Sequence, residues 1–129
     1  MKRILLFAGC LCGFVSLAQT SQTDFRNYCQ QAYAAYPNVP RGIIEAVSYT
    51  QTRMTYLPDS EMESCSGLPK SYGYLGMISG GKGYFKENMR LVSQVSGVSV
   101  SRMKENPDIE ILAFAKTVST YMEELRGNS

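Results

Sequence analysis

Apolar residues recur at three- and four-residue intervals along most of this chain, and the pattern breaks once, over residues 55–81. That period is the mark of amphipathic helices. The interrupting stretch is richer in Pro, Gly and Ser than its flanks and reads as irregular. The expected fold is therefore mainly α, a small helical domain with at most a short hairpin in the 55–81 region, around Tyr72–Ile78. Phe25, Tyr28, Cys29 and Ala32 predict a helix over residues 24–35 capped by Thr23. Pro37 and Pro40 stiffen a connector into a second helix, residues 40–54. Phe85, Met89, Val92 and Val95 predict a helix over residues 82–95, stopped at Gly97. Ser99 suits the cap of a short helix ending at Glu105, and Asn106-Pro107 opens the last helix. Its stripe is Ile109, Leu112, Ala113, Ala115 and Val118. The 40–54 helix is expected to be the most enclosed, with Ile44, Val47, Leu112 and Ala115 deeply buried.

The amino end follows a different rule. Lys2 and Arg3 precede an apolar run from Ile4 to Leu17, and small residues stand at Ser16 and Ala18. This is the pattern of a secretory signal cleaved after Ala18. At ~14 residues the run falls short of the ~20 that span a bilayer. The apolar stretch before Cys10 is also too short to favour a lipid-modified terminus. Residues 1–18 are thus expected to be a signal peptide and residues 19–129 one domain, secreted or periplasmic, with no membrane span after cleavage.

Cleavage leaves Cys29 and Cys65, which in an oxidising compartment allow one disulfide. It also removes Lys2 and Arg3 from the 13 basic residues and none of the 11 acidic ones, so the mature chain is formally neutral. A neutral chain lacks the basic excess that neutralises phosphates, so nucleic acid is not an expected partner. There is no histidine. Ser–His and Cys–His nucleophilic chemistry is therefore excluded, and neither a metal site nor a cofactor is expected.

Two features carry the functional reading. In IIEAVSYTQTRM, residues 43–54, helical spacing puts Ile44, Val47, Gln51 and Met54 on one side. The expected inner face of that helix thus contains a primary amide. In SYGYLGMISGGKGYF, residues 71–85, Gly73 and Gly76 permit close approach of backbone to a neighbour or ligand. Tyr72, Tyr74 and Tyr84 could stack on a sugar ring or pack as ordinary semi-buried residues.

These segments resemble the lytic transglycosylase and goose-type lysozyme group, enzymes that cleave the glycan strands of peptidoglycan. GIIEAVSYTQTRM is similar to the helix that ends in the group's catalytic Glu. SYGYLGMI is similar to its Gly-x-x-Gly-Leu-Met turn, which lines the substrate groove, and NPDIEILAFAKTV to a later helix with an Asn-Ile pair. The three occur in the group's order across residues 40–120. The resemblance implies a lysozyme-like fold and a groove formed by Gln51, Tyr72, Gly73, Tyr74, Gly76 and Met77.

The departures are chemical. Gln51 stands at the catalytic Glu position, Thr52 follows where Ser is usual, Met54 replaces an aromatic, and Glu110 stands where the group has Asn. Glycosidic cleavage needs a proton delivered to the leaving oxygen. An amide has none to give near neutral pH. The expected function is thus peptidoglycan binding without cleavage, by an exported cell-wall protein or the N-terminal module of a larger hydrolase such as an N-acetylmuramoyl-L-alanine amidase. The alternative is an active glycosidase or lytic transglycosylase with a displaced acid, Glu110 or Glu45. Glu45 has Arg41 four residues before it as a ready surface partner.

Overall fold

The computed structural model describes residues 16–60, 67–81 and 83–128, with side chains from Gln22 onward. Among the described residues, five helices and one two-stranded hairpin follow in the order α1 (Ser16–Ala35), α2 (Ile43–Thr52), β1 (Ser71–Tyr72), β2 (Met77–Ile78), α3 (Asn88–Ser96), α4 (Val100–Glu105) and α5 (Pro107–Gly127). The domain is mainly α, as the periodicity predicts.

Helix α5 is the hub, with α1, α3 and α4 packed against it. Its buried side chains include Ile111, Ala113 and Ala115, and also the small polar residues Thr117 and Ser119. Small side chains let neighbouring helices approach closely, and the two hydroxyls find local acceptors. Thr117 donates to the carbonyl of Ala113 at 2.9 Å and Ser119 to Asn38 Oδ1 at 2.8 Å. The helix against which the others pack is therefore the last one, not the 40–54 helix. Leu112 is 39 % exposed, contrary to the expected stripe. Ile111, one position earlier, occupies the core instead.

Helix α1 is already in place at Ser16, the first described residue, ahead of the expected boundary, and Thr23 lies within it rather than capping it. No Gly or Pro interrupts residues 16–35, and Leu17, Ala18 and Gln19 are good helix formers. The expected signal segment lies mostly in residues 1–15, outside the described ones.

Helix α2 has Gly42 at its N-cap, in a left-handed conformation (φ +90°), with no side-chain cap of its own. Tyr33 of α1 fills the role. Its hydroxyl accepts from the backbone N–H of Gly42 at 2.8 Å and of Ile44 at 3.3 Å, and donates to Glu45 Oε2 at 2.5 Å. Two orphan donors of the first turn are satisfied from outside the helix.

The hairpin pairs Ser71 with Ile78 and Tyr72 with Met77, antiparallel. Gly73 and Leu57 extend it by exchanging backbone hydrogen bonds of 2.8 and 3.2 Å. Helix α3 begins six residues later than the apolar spacing suggests. Asn88 at its start accepts the N–H of Ile78 at 2.6 Å, and Glu87 accepts that of Gly80 at 2.7 Å, which holds residues 83–87 as a loop. Gly97 ends α3 with φ +76°, and the Ser99 hydroxyl caps α4 by accepting from Arg102 N–H, both as expected.

Candidate functional site

The loop Gly73-Tyr74-Leu75-Gly76 between the hairpin strands is held from three directions. The N–H of Tyr74 donates to Glu110 Oε2 at 2.9 Å, and that of Leu75 to Glu110 Oε1 at 3.1 Å. The carbonyl of Tyr74 accepts from Ser48 Oγ at 2.8 Å and Thr52 Oγ1 at 2.7 Å. The Tyr74 ring is set into the core, 4.9 Å from Phe25 and 5.3 Å from Tyr56 between centroids.

Both glycines take left-handed conformations, φ +71° at Gly73 and +59° at Gly76. Each also touches a helix. A Cβ at Gly73 would collide with the Glu110 carboxylate, and one at Gly76 would stand 2.9 Å from Gln51 Cβ and 3.2 Å from Thr52 Cγ2. The turn is wedged between the first turn of α5 and the last turn of α2.

Glu110 is fully buried and forms no ion pair among the described residues. Burial pushes its carboxyl up from 4.5 to about 7, against the opposing effect of the two backbone N–H donors. Its place in the first turn of α5 also favours the charged form through the helix dipole. Its oxygens are engaged by the turn and closed to solvent, so as placed it cannot deliver a proton to an external oxygen.

The other residues singled out from the sequence are distributed as follows. Gln51 is exposed, at the end of α2 and against Gly76. The buried face of α2 is Ile44, Ser48 and Thr52, while Val47 and Met54 are half-buried. An i, i+4, i+8 row faces the turn, because its two hydroxyls have the Tyr74 carbonyl to meet. The amide therefore lies on a flank of the helix and not on its inner face. Tyr72, Tyr74 and Met77 are core residues, so the two tyrosine rings are not open faces. The ammonium groups of Lys104 and Lys70 lie 3.9 and 5.0 Å from the Tyr72 ring centroid. Tyr84 is 92 % exposed and edge-on to Phe85. Glu45 is bound by the Tyr33 hydroxyl and forms no ion pair with Arg41, whose guanidinium lies over the Tyr33 ring. Cys29 is a free thiol, buried in α1, and Cys65 lies outside the described residues.

Three residues central to the site, Ser48, Thr52 and the inward Glu110, were not distinguished by periodicity. The available signal was a hydroxyl pair four residues apart, continuing the row of Ile44. Among the described residues no His, Cys, Asp and Glu converge as a metal site, and no helix is long and apolar enough to cross a membrane. Comparison with protein-family models, curated proteins and solved structures gives no match.

Proposed function

We propose that this chain is an exported cell-wall protein whose lysozyme-like domain binds peptidoglycan glycan strands without cleaving them. The observation that carries the reading is the pairing of an exposed Gln51 with the clamped Gly73–Gly76 turn. By the resemblance, this is where a transglycosylase would hold its acid, and an amide stands there instead. Gln51 keeps the hydrogen-bonding capacity of the site, a donor and an acceptor suited to sugar hydroxyls. It lacks the proton that glycosidic cleavage requires.

The displaced-acid alternative loses support at both of its candidates. Glu110 is consumed by the turn, and Glu45 is bound to Tyr33 on another flank of α2. A role as the front module of a larger hydrolase, such as an amidase, is compatible with binding and adds a catalytic partner elsewhere. Co-sedimentation with purified sacculi, with turbidity clearing followed in the same samples, tests the reading. Sedimentation without clearing is expected. Clearing that yields anhydro ends and survives Gln51→Ala would overturn it.

A further inference from the structure

Helix α5 places a carboxylate in its first turn, inside the protein, with no ion-pair partner among the described residues. The charge is met by two backbone N–H groups of adjacent residues, one on each oxygen. Such charge-assisted bonds are stronger than bonds to a neutral acceptor. The neutral acid is a weaker acceptor at whichever oxygen takes the proton. The same group is thus pulled in opposite directions. Desolvation favours the acid and the turn favours the anion, leaving the balance near neutrality, at about 7.

We propose that Glu110 is a proton-operated latch on the Gly73–Gly76 turn. Ionised, it holds the Tyr74 and Leu75 amides through one oxygen each. When a transient opening lets a proton reach one oxygen, the grip on the turn weakens and the Tyr74–Leu75 peptide is freed to move. The steric fit with Gly73 makes the turn a sensitive reporter, since its backbone lies directly on the carboxylate.

Among the described residues, the surrounding ionisable groups leave this titration to Glu110. The phenols of Tyr56 and Tyr74 feel its charge and are pushed upward, chiefly by burial, so they stay neutral in this range. Asp59 acts on Tyr56, Asp24 and Tyr28 act on Tyr74, and Asp108, in α5 itself, acts on Tyr28. From α4, Lys104 places its ammonium over Tyr72, as Lys70 does from beside β1. The groups that α2 offers to the turn, Ser48 and Thr52, are neutral hydroxyls.

Amide shifts and hydrogen exchange of the full chain, followed from pH 5 to 8.5, test the latch. Tyr74 and Leu75 are expected to titrate together with a midpoint near 7. Their protection against local opening of the turn, with Glu110 still buried, corrected for intrinsic exchange, should fall about tenfold on the acid side, the difference between a charged and a neutral acceptor. Ile78 is the internal control, because its N–H is held by the neutral side chain of Asn88. Flat Tyr74 and Leu75 signals, or an equal shift at Ile78, would overturn the proposal. Glu110→Gln should abolish the titration, and its persistence would equally overturn it. If that variant does not fold, the wild-type titration against Ile78 decides alone. The latch is a property of the fold and stands apart from glycan binding. Failure of sacculus binding at every pH would sink the binding reading and leave the amide titration intact.

Discussion

The carboxylate of Glu110 occupies the space that any side chain at Gly73 would need. The two residues lie 37 positions apart in the chain, one in a turn and one in a helix, and each constrains what the other can be. Gly73 is required twice, by its left-handed φ of +71° and by this contact. Gly73→Ala should therefore destabilise the domain by about 2–5 kcal/mol, combining backbone strain with overpacking. Urea denaturation would measure it. In the double variant with Glu110→Ala the collision disappears, so the combined loss should be smaller than the sum of the two single losses.

The pH dependence of stability has a definite sign. Glu110 ionises at about 7 in the fold and near its ordinary value of 4.5 when unfolded. Between those values the folded protein holds the extra proton. Glu110's contribution to stability is then fully present below 4.5 and is lost as pH rises through 7, an effect of about 3 kcal/mol. Denaturation midpoints at pH 5 and pH 8 should differ accordingly, and Glu110→Gln should remove most of the difference. Unchanged pH dependence in that variant would mean that Glu110 does not govern it.

Helix α5 offers a direct comparison of adjacent side chains. Ile111→Ala should cost about 2–5 kcal/mol, as a truncation in the core. Leu112→Ala should cost about 0.5–1 kcal/mol, because that side chain remains partly in water. Equal losses at the two sites would show that the helix is rotated relative to its neighbours.

Which helices exist was legible in the sequence, because caps and stops are local. Ser99, Gly97 and Asn106-Pro107 each mark a boundary that the structure keeps. The hairpin was legible from Gly73 and Gly76 on the same grounds. The rotation of a helix was not, because it depends on how many neighbours surround it. Three helices pack on α5, so its buried arc is turned from the row that periodicity selects and takes in Glu110 and Ile111 while leaving Leu112 outside. The inner row of α2 was hidden for another reason. Ser48 and Thr52 read as polar until a buried carbonyl, Tyr74's, is brought within reach of both. Glu110, a displaced-acid candidate by the resemblance, reads by its spacing alone as an ordinary first-turn acid until the turn closes over it.

Cys29 provides a chemical test of enclosure. It is 1 % exposed, and burial, with a smaller effect from Glu45, pushes its thiol up to about 12. In reduced, folded protein it should resist alkylation at pH 8 and react fully in denaturant, since only the thiolate is an effective nucleophile. Mass analysis of both samples would read the difference. Exported protein run without reductant would show separately whether Cys29 bridges to Cys65; two free thiols would rule that pairing out.

The sharpest prediction concerns Gln51→Glu. By the resemblance, this substitution restores the missing carboxyl. It restores the group without the environment, however, because position 51 is exposed and the turn beside it presents Gly76 rather than an enclosing apolar wall. An exposed glutamate ionises near 4.3 and is almost wholly deprotonated at neutral pH, whereas a general acid works best with its pKa near the operating pH. Gln51→Glu should therefore still sediment with sacculi and still fail to clear them at pH 7. Any gain should appear only as the pH is lowered toward 5, where a larger fraction of the side chain carries its proton. Clearing at pH 7 by this variant would mean that bound glycan itself closes over position 51 and raises the carboxyl. Loss of sedimentation in Gln51→Ala, with the denaturation midpoint unchanged, would assign the amide to binding. Full sedimentation in that variant would place the glycan surface elsewhere on the domain.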